Sequence, residues 1–400
     1  MIYSKIKSKL IVAAFNFSEE QLFVVGKRDN NKKRSFLFIS KLLGKHLAVK
    51  PEVVKATGFL LSSLKYNFNN DSFVDCIKNN CKPDYRNHAK DNEVLVVGFC
   101  ETATALGMSV ASSIEGSTFI ATTREPISGV KQLITFEEEH SHASTHFMFS
   151  NNINLCNFRK IILVDDEITT GNSLLHLMNT LIQNCDVAEI SIMTILDWRN
   201  DEQKQKFIDF SLANNVVINI YSLISGHITD DDNNVYLNKH INIIEGTKES
   251  TNLSIFQQVK MCNQELKPQI YLSDSGRFGI AYHQILSIEE KAEKAAYNIA
   301  QKLNPHSKIL VLGHGENIYI PSRVATYLED LGHTVSFKTT SRTPIYCDGT
   351  IIKDIQTFCE NGIKYHFYNK SEAETYDAVI MLSENNFKHK LCDNIMIFDL

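Results

Sequence analysis

No two of the nine cysteines in this 400-residue chain are spaced Cys-x-x-Cys. The nearest pair, Cys76 and Cys81, is a poor zinc pattern, and an odd count does not close a disulfide framework. Reduced thiols and a cytoplasmic location are therefore expected. A basic excess is also lacking. The 41 Lys and Arg against 46 Asp and Glu leave a formal charge of -5, which argues against a broad nonspecific nucleic-acid surface. Long apolar runs are missing too. Residues 10–15 form the only apolar stretch near the N-terminus, far short of the ~18 residues of a membrane span. No small-residue cleavage site follows it, so neither an export signal nor a membrane partner is expected. The 43% hydrophobic and 22% charged fractions are those of a globular protein, and the length fits two domains of moderate size.

What is present is alternation. The first hundred residues mix short β-like runs with a basic stretch, "NKKRSFLFISKLLGKHLAV" (31–49). From Glu93 the chain repeats strand, turn and helix: "EVLVVGF" then "TATALGMSVASSI", "STFIATT", "KIILVDD" then "NSLLHLMNTLIQNC", "AEISIMTILDW" then "EQKQKFIDFSLANN", and "VVINIYSLI". Strands alternating with helices of this length predict a largely parallel α/β sheet. Residues 226–265 are polar and turn-rich, as in a linker or exposed excursion. A second, smaller Rossmann-like α/β pattern follows, with "SIEEKAEKAAYNIAQKL", "KILVLG", "IPSRVATYLEDLG", "TVSFKTT", "YDAVIML" and "NIMIFDL". The expected division is 1–225 (an N-terminal lobe to about 92), 226–265 and 266–400.

In a parallel sheet, ligands bind beyond the carboxyl ends of the strands. "KIILVDDEITTGNSLL" (160–175) ends an apolar strand there on Asp165 and Asp166. Adjacent carboxylates can accept from the vicinal hydroxyls of a sugar or hold a hydrated magnesium ion. Thr169, Thr170, Gly171, Asn172 and Ser173 then turn into a helix, whose free amides, hydroxyls and positive dipole end make a phosphate cradle. Ribose 5-phosphate has both parts.

This stretch closely resembles the phosphoribosyl-pyrophosphate (PRPP) motif of type I phosphoribosyltransferases. The resemblance implies that fold, a parallel sheet with helices on both faces. It implies Asp165 and Asp166 on the ribose hydroxyls, residues 169–173 on the 5-phosphate, and magnesium held through PRPP and waters near the acids. Purine-salvage members often carry an acid four positions after the first of the pair; here that position is Thr169, as in the orotate-type enzymes. Type I relatives commonly dimerise, so a homodimer is implied as well.

The rest of such a site must hold pyrophosphate. "VVGFCETATALG" (96–107) offers a buried strand, Gly98, and a helix start with Thr102 and Thr104 near free amides. Glu101 would repel an anion there unless magnesium intervenes, or it is simply an acid favoured by the helix dipole. Residues 121–150 sit where the mobile loop of type I enzymes lies, with Arg124 and Lys131 able to neutralise pyrophosphate. His140, His142 and His146, beside Glu137, Glu138 and Glu139, are candidates for acid–base or pyrophosphate contacts rather than a metal site. The basic segment is read as a lobe over the site that recognises the base, with Lys41, Lys45 and His46 as contacts.

"KRSFLFISKLLGKHLAV", "GFCETATALG", "TTREPISG", "FEEEHSHA" and "VDDEITTGNS" together look like the phosphoribosyltransferase of bacterial tellurium-resistance and stress-response biosynthetic operons. That family couples an orotate-transferase-like domain to a C-terminal domain named for a Thr-Arg-Ser-Pro signature. The segments "LSDSGRFGI", "VLGHGENIYIPSRVATYLEDLGHTV" and "TTSRTPI" (339–345) fall in that second part, with Arg342-Thr343-Pro344 where the signature has Arg-Ser-Pro. The implied function is transfer of phosphoribosyl from PRPP to a nitrogenous, pyrimidine-like base, or the reverse, in making a nucleoside-like metabolite. The rival reading is a non-catalytic PRPP sensor.

One further pattern comes from the residues alone. Residues 96–127 echo 311–345: strand, Gly, Glu, helix, strand, then Thr-x-Arg-x-Pro-Ile. Val164 precedes the acidic pair, whereas Leu382 precedes Ser383 and Glu384. The second domain is expected to be a diverged copy of the transferase core that has lost its ribose-binding acids. Glu316, Ser341, Arg342 and Thr343 would line a second ligand site. Cys347 and His314 nearby are candidates for a nucleophile and base.

Overall fold

Strand Val94–Gly98 is buried at every position, as a continuous Val/Leu run must be in a parallel sheet covered on both faces. It lies within a seven-stranded sheet ordered Lys7–Ala13, Val217–Asp230, Glu189–Asp197, Lys160–Ile168, Val94–Gly98, Thr118–Ala121, Ile280–Ala281. The five inner strands are mutually parallel, and the two edge strands run antiparallel. This computed structural model describes residues 7–31, 34–137, 145–230, 235–238, 242–244, 246–263, 267–384 and 386–400.

The second sheet is wholly parallel, ordered Ser250–Asn252, Ile395–Asp399, Ala378–Ser383, Lys308–Gly313, Thr334–Thr339. Its strand order repeats the core of the first. Val94–Gly98 is flanked by Thr118–Ala121 and Lys160–Ile168; Lys308–Gly313 is flanked by Thr334–Thr339 and Ala378–Ser383. In each copy an antiparallel hairpin follows the second strand, Gln132–Glu137 with Thr145–Phe149 and Ile355–Glu360 with Ile363–Tyr368. Even single bonds recur: Thr122 N–H donates to Gly98 O at 2.9 Å and Thr340 N–H to Gly313 O at 3.1 Å. The registers place Ser383 and Glu384 where the first copy has Asp165 and Asp166. One element is missing. Helix Asn172–Asn184 follows the acidic strand in the first copy, but residues 384–394 form no helix among the described residues.

The two copies pack through helices Pro51–Tyr66 and Ala103–Ser112 on one side and Tyr282–Ala300 and Tyr319–Asp330 on the other. Tyr319–Asp330 begins one residue ahead of "IPSRV", and Tyr282–Ala300 begins five residues ahead of "SIEEK". A single apolar cluster runs through this contact, including Leu60, Val110, Ile288, Ala292, Val324 and Leu328. Inside it Glu289 receives Lys55 Nζ at 2.9 Å and Arg323 Nε at 3.0 Å, while Arg323 Nη1 lies 3.2 Å from Glu52. Buried charge survives only when paired in this way.

Residues 226–265 join the halves as well as separating them. Strand Val217–Asp230 runs on past the "VVINIYSLI" segment. Asn242–Ile243 and Ser250–Asn252 pair with second-domain strands, and Gln258–Asn263 pairs with both Pro268–Leu272 and Ile127–Ser128. No helix among the described residues is long and apolar enough to cross a membrane.

Candidate functional site

Strand Lys160–Ile168 is buried through Val164 and opens at Asp165, Asp166 and Glu167, which are partly exposed at its carboxyl end. Asp166 N–H donates to the Asp165 carboxylate at 2.9 Å, and Glu167 is held by Arg34 at 2.9 Å. Burial pushes the Asp166 carboxyl above its ordinary range; Lys45 opposes this and Glu167 adds to it.

The turn that follows is shaped for an anion. Gly171 adopts a left-handed φ of 81°, which suits glycine. A Cβ there would also meet the Phe207 ring at 2.6 Å. Asn172 N–H points to Thr170 Oγ1 at 3.4 Å, and no side chain caps helix Asn172–Asn184. The positive end of its dipole therefore lies just beyond the strand's carboxyl end. The floor beneath is rigid: Arg199 donates to Asp197 at 2.9 and 2.8 Å and lies 4.3 Å from the centre of the Phe207 ring.

The neighbouring strand end, Gly98 to Thr104, forms the second wall, with Cys100 and Glu101 joined by a cis peptide. Cys100 N–H donates to Thr122 Oγ1 at 3.0 Å, and Thr104 Oγ1 donates to Glu101 O at 2.8 Å. Glu101 and Thr102 are buried. The Lys45 ammonium donates to the Thr102 hydroxyl, and its charge acts on the Asp166 carboxyl of the other wall. Glu101 is met by Arg342 of the second domain, with Nε and Oε1 2.8 Å apart.

Arg124 follows the adjacent strand. Its N–H donates to Glu316 at 3.1 Å and its Nε to His146 Nε2 at 3.5 Å. His146 is fully buried, 3.2 Å from Thr122 Oγ1 and stacked on Phe136 at 4.9 Å. It therefore orients the arginine from beneath. Lys131 is exposed at the base of the hairpin, its N–H donating to Asn151 at 2.9 Å. His140 and His142, with Glu138 and Glu139, lie outside the described residues.

The three lobe residues part company. Lys45 donates to Thr102 in the Gly98–Thr104 loop. Lys41 donates to the Glu20 carbonyl at 2.7 Å on the lobe's surface. His46 is buried, 3.4 Å from Ser341 Oγ, and burial followed by the Lys45 charge holds it well below the usual imidazole range. In the second domain Arg342 also donates to Tyr365 OH and to Glu125, at 2.8 and 3.3 Å. Thr343 N–H donates to Ser341 Oγ at 3.1 Å. Glu316 accepts from Arg277 at 3.1 Å. Of the four candidates, Arg342 and Glu316 thus meet the Gly98–Thr104 loop and the Arg124 turn of the first domain, whereas Ser341 meets His46 and Thr343 bonds to Ser341. Cys347 and His314 are not brought together as nucleophile and base. The thiol donates to the carbonyls of Ile352 and Lys353 at 3.2 and 2.9 Å, whereas the imidazole lies 2.7 Å from Thr340 and 2.5 Å from Glu360.

Sequence reading missed Arg34, Arg199 and Arg277. The available signals were "LDWRN" (196–200) at a strand's carboxyl end, around the chain's single tryptophan, and the arginine of "LSDSGRFGI". Trp198 stacks on Phe38 at 4.9 Å and so holds the lobe hairpin over the site.

A family model described as phosphoribosyl transferase matches residues 22–227, and one described as the TRSP domain C-terminal to it matches residues 274–397. No curated protein matches the chain. Among solved structures, an adenine phosphoribosyltransferase from Leishmania tarentolae is 17% identical over 44% of this chain and 71% of its own, with a TM-score of 0.27. The Trypanosoma brucei adenine enzyme is 16% identical over 59% and 93%, TM-score 0.32. The orotate phosphoribosyltransferase of Mycobacterium tuberculosis H37Rv is 13% identical over 51% and 90%, TM-score 0.27.

Proposed function

The chain belongs to the phosphoribosyl transferase family, and from that premise we propose that it transfers the 5-phosphoribosyl group of PRPP to a nitrogenous, pyrimidine-like base. The observation that carries this is the partly exposed Asp165–Asp166 pair at the carboxyl end of a central strand, followed directly by a left-handed glycine turn into a helix start. Diol acceptors and an anion cradle stand side by side, as a ribose 5-phosphate requires.

In this mechanism Asp165 and Asp166 hold the ribose hydroxyls. The amides and hydroxyls of residues 169–173 take the 5-phosphate, and Gly98 to Thr104 with Lys45 receive the pyrophosphate. Arg124 supplies positive charge as the bond from the anomeric carbon to pyrophosphate lengthens. The strand end suits magnesium: two adjacent carboxylates supply oxygen ligands, and the Asp166 carboxyl is raised by burial and the Glu167 charge. That is the pattern for an ion held largely by substrate oxygens and water. When bound it would neutralise pyrophosphate oxygens.

Thr169 at the position of the purine-salvage acid favours a pyrimidine-like acceptor. The second domain and the segments shared with the stress-response operon enzymes favour a nucleoside-like product and a role in tellurium resistance. A homodimer is part of the same reading. The test is pyrophosphate release from PRPP and magnesium across a panel of bases. Turnover with at least one base supports transfer. Saturable PRPP binding with no turnover for any base identifies a sensor instead. Turnover undiminished in the Asp165→Asn, Asp166→Asn double variant overturns the proposed site.

A further inference from the structure

The first copy of the core binds its ligand, in the reading above, beyond the carboxyl ends of Val94–Gly98 and Lys160–Ile168. The second copy has a cavity of about 560 Å³ at the corresponding place. It opens beyond Lys308–Gly313 and Ala378–Ser383, where His314, Glu316 and Glu384 line it, and beneath the hairpin turn carrying Glu360. Glu125 of the first domain and Gln269 close its other sides. The size is that of an ordinary small-molecule site, and the position is the one parallel sheets use for ligands.

Its chemistry differs from the first site in one consistent direction. The helix whose N-terminus would hold a phosphate is absent after Ala378–Ser383 among the described residues. In its place are carboxylates. Arg277 is shared by Glu316 and Glu384, at 3.1 and 2.8 Å. Arg342 is shared by Glu101 and Glu125, at 2.8 and 3.3 Å. Each guanidinium thus faces two carboxylates, and against burial Arg277 and Arg342 together hold the Glu316 carboxyl below its ordinary range. Glu360 adds another carboxylate beside His314, and Lys267 also lines the cavity. Burial and the Glu316 charge push the Glu125 carboxyl upward, the response of an acid with too little positive charge around it. Such walls repel phosphates and accept from amines and hydroxyls. The aromatic surface of Tyr365 and Tyr271 offers a face for a ring.

We infer that the second domain retains the ligand-binding place of the duplicated core but has exchanged a sugar phosphate for a phosphate-free, amino- and hydroxyl-bearing small molecule of nucleoside size. The occupant contacts the same carboxylates that hold Arg342 and Arg124, so binding there bears on the pyrophosphate loop of the first domain. The site stands independently of whether the first domain turns PRPP over.

The test is calorimetric titration of the full chain carrying Asp165→Asn and Asp166→Asn, which separates this site from the first. Cytidine, adenosine and glucosamine are the probes, each compared with its own monophosphate. The expected result is one-to-one binding of at least one of the three, at least tenfold tighter than its monophosphate. Affinity should fall at least tenfold in both Glu360→Gln and Gln269→Trp, the second of which fills the cavity without touching a charge pair. Absence of binding by all three, preference for a phosphorylated form, or binding unaffected by both variants overturns the inference.

Discussion

Arg342 Nε of the second domain lies 2.8 Å from Glu101 Oε1 in the proposed pyrophosphate loop of the first, with the two side chains 15% and 4% exposed. An acid in a loop meant for an anion is thereby neutralised from outside its own domain. The arrangement is reciprocal, since Glu316 of the second domain accepts from Arg124 N–H in the first at 3.1 Å. Segments at corresponding places in the two sheets thus brace one another across the interface.

Removing Arg342 should therefore damage a site it does not enter. Arg342→Ala strands Glu101 and Glu125, and breaking a buried pair on one side costs on the order of 3–5 kcal/mol. Thermal unfolding should show that loss, and the KM for PRPP should rise about tenfold or more. Glu101→Gln added to Arg342→Ala should recover part of the stability, because it removes one of the two stranded charges and leaves Glu125. An unchanged melting temperature in Arg342→Ala would show that the ion pair contributes nothing.

Asp166 sets activity against stability. Its carboxyl is raised in the folded chain by burial, so its favourable contribution is complete below the unfolded value and is lost as pH rises through the folded one. At pH 7 the buried charge is a cost. Asp166→Asn should raise the melting temperature at pH 7, and the gain should shrink as pH falls through the carboxylate range. Pyrophosphate release should meanwhile drop by about a hundredfold or more. A variant less stable than the parent at pH 7 would contradict this account.

The parallel core was legible because Val94–Gly98 and Lys160–Ile168 are near-continuous apolar runs between helical periods, a signal carried by local sequence. The strand-end acids and glycine turn were legible for the same reason: they lie within one contiguous stretch. The echo of 96–127 in 311–345 was readable as a pattern, and the strand order agrees with it. What could not be read was pairing over long separations. Nothing adjacent to Glu101 announces Arg342, nor does anything near Glu167 announce Arg34. The loss of the second phosphate helix is visible only once Ser383 is aligned with Asp165 by sheet register.

Acid should open the contact between the domains before it unfolds either sheet. Burial raises Glu289, but Arg323 and Lys55 outweigh it and hold the carboxyl down to about 2, against an ordinary 4.5. Its contribution is present above the ordinary value and lost as pH falls towards the folded one. A shift of that size corresponds to on the order of 3 kcal/mol at neutral pH. Glu289→Gln should lower the melting temperature at pH 7, and the difference should narrow steadily between about pH 4 and pH 2. A difference independent of pH over that window would mean the residue acts by packing alone.

Lys45 offers the sharpest division between two readings of the lobe. A lysine that recognises the base should affect the acceptor; a lysine that bridges Thr102 and Asp166 should affect the donor. Its ammonium donates to the Thr102 hydroxyl, and its charge acts on the Asp166 carboxyl. Lys45→Ala should therefore raise the KM for PRPP about tenfold or more and leave the KM of the accepted base within about twofold, since one charge-assisted contact is worth roughly 1.5–3 kcal/mol. Lys45→Arg should recover part of the loss, because charge is kept while the point geometry of an ammonium is not. Lys41→Ala, whose partner is the Glu20 carbonyl at 2.7 Å, should leave both constants unchanged. If Lys45→Ala instead raises the KM of the base alone, the lobe reads the acceptor through this residue, and the bridge between the two walls has no part in holding PRPP.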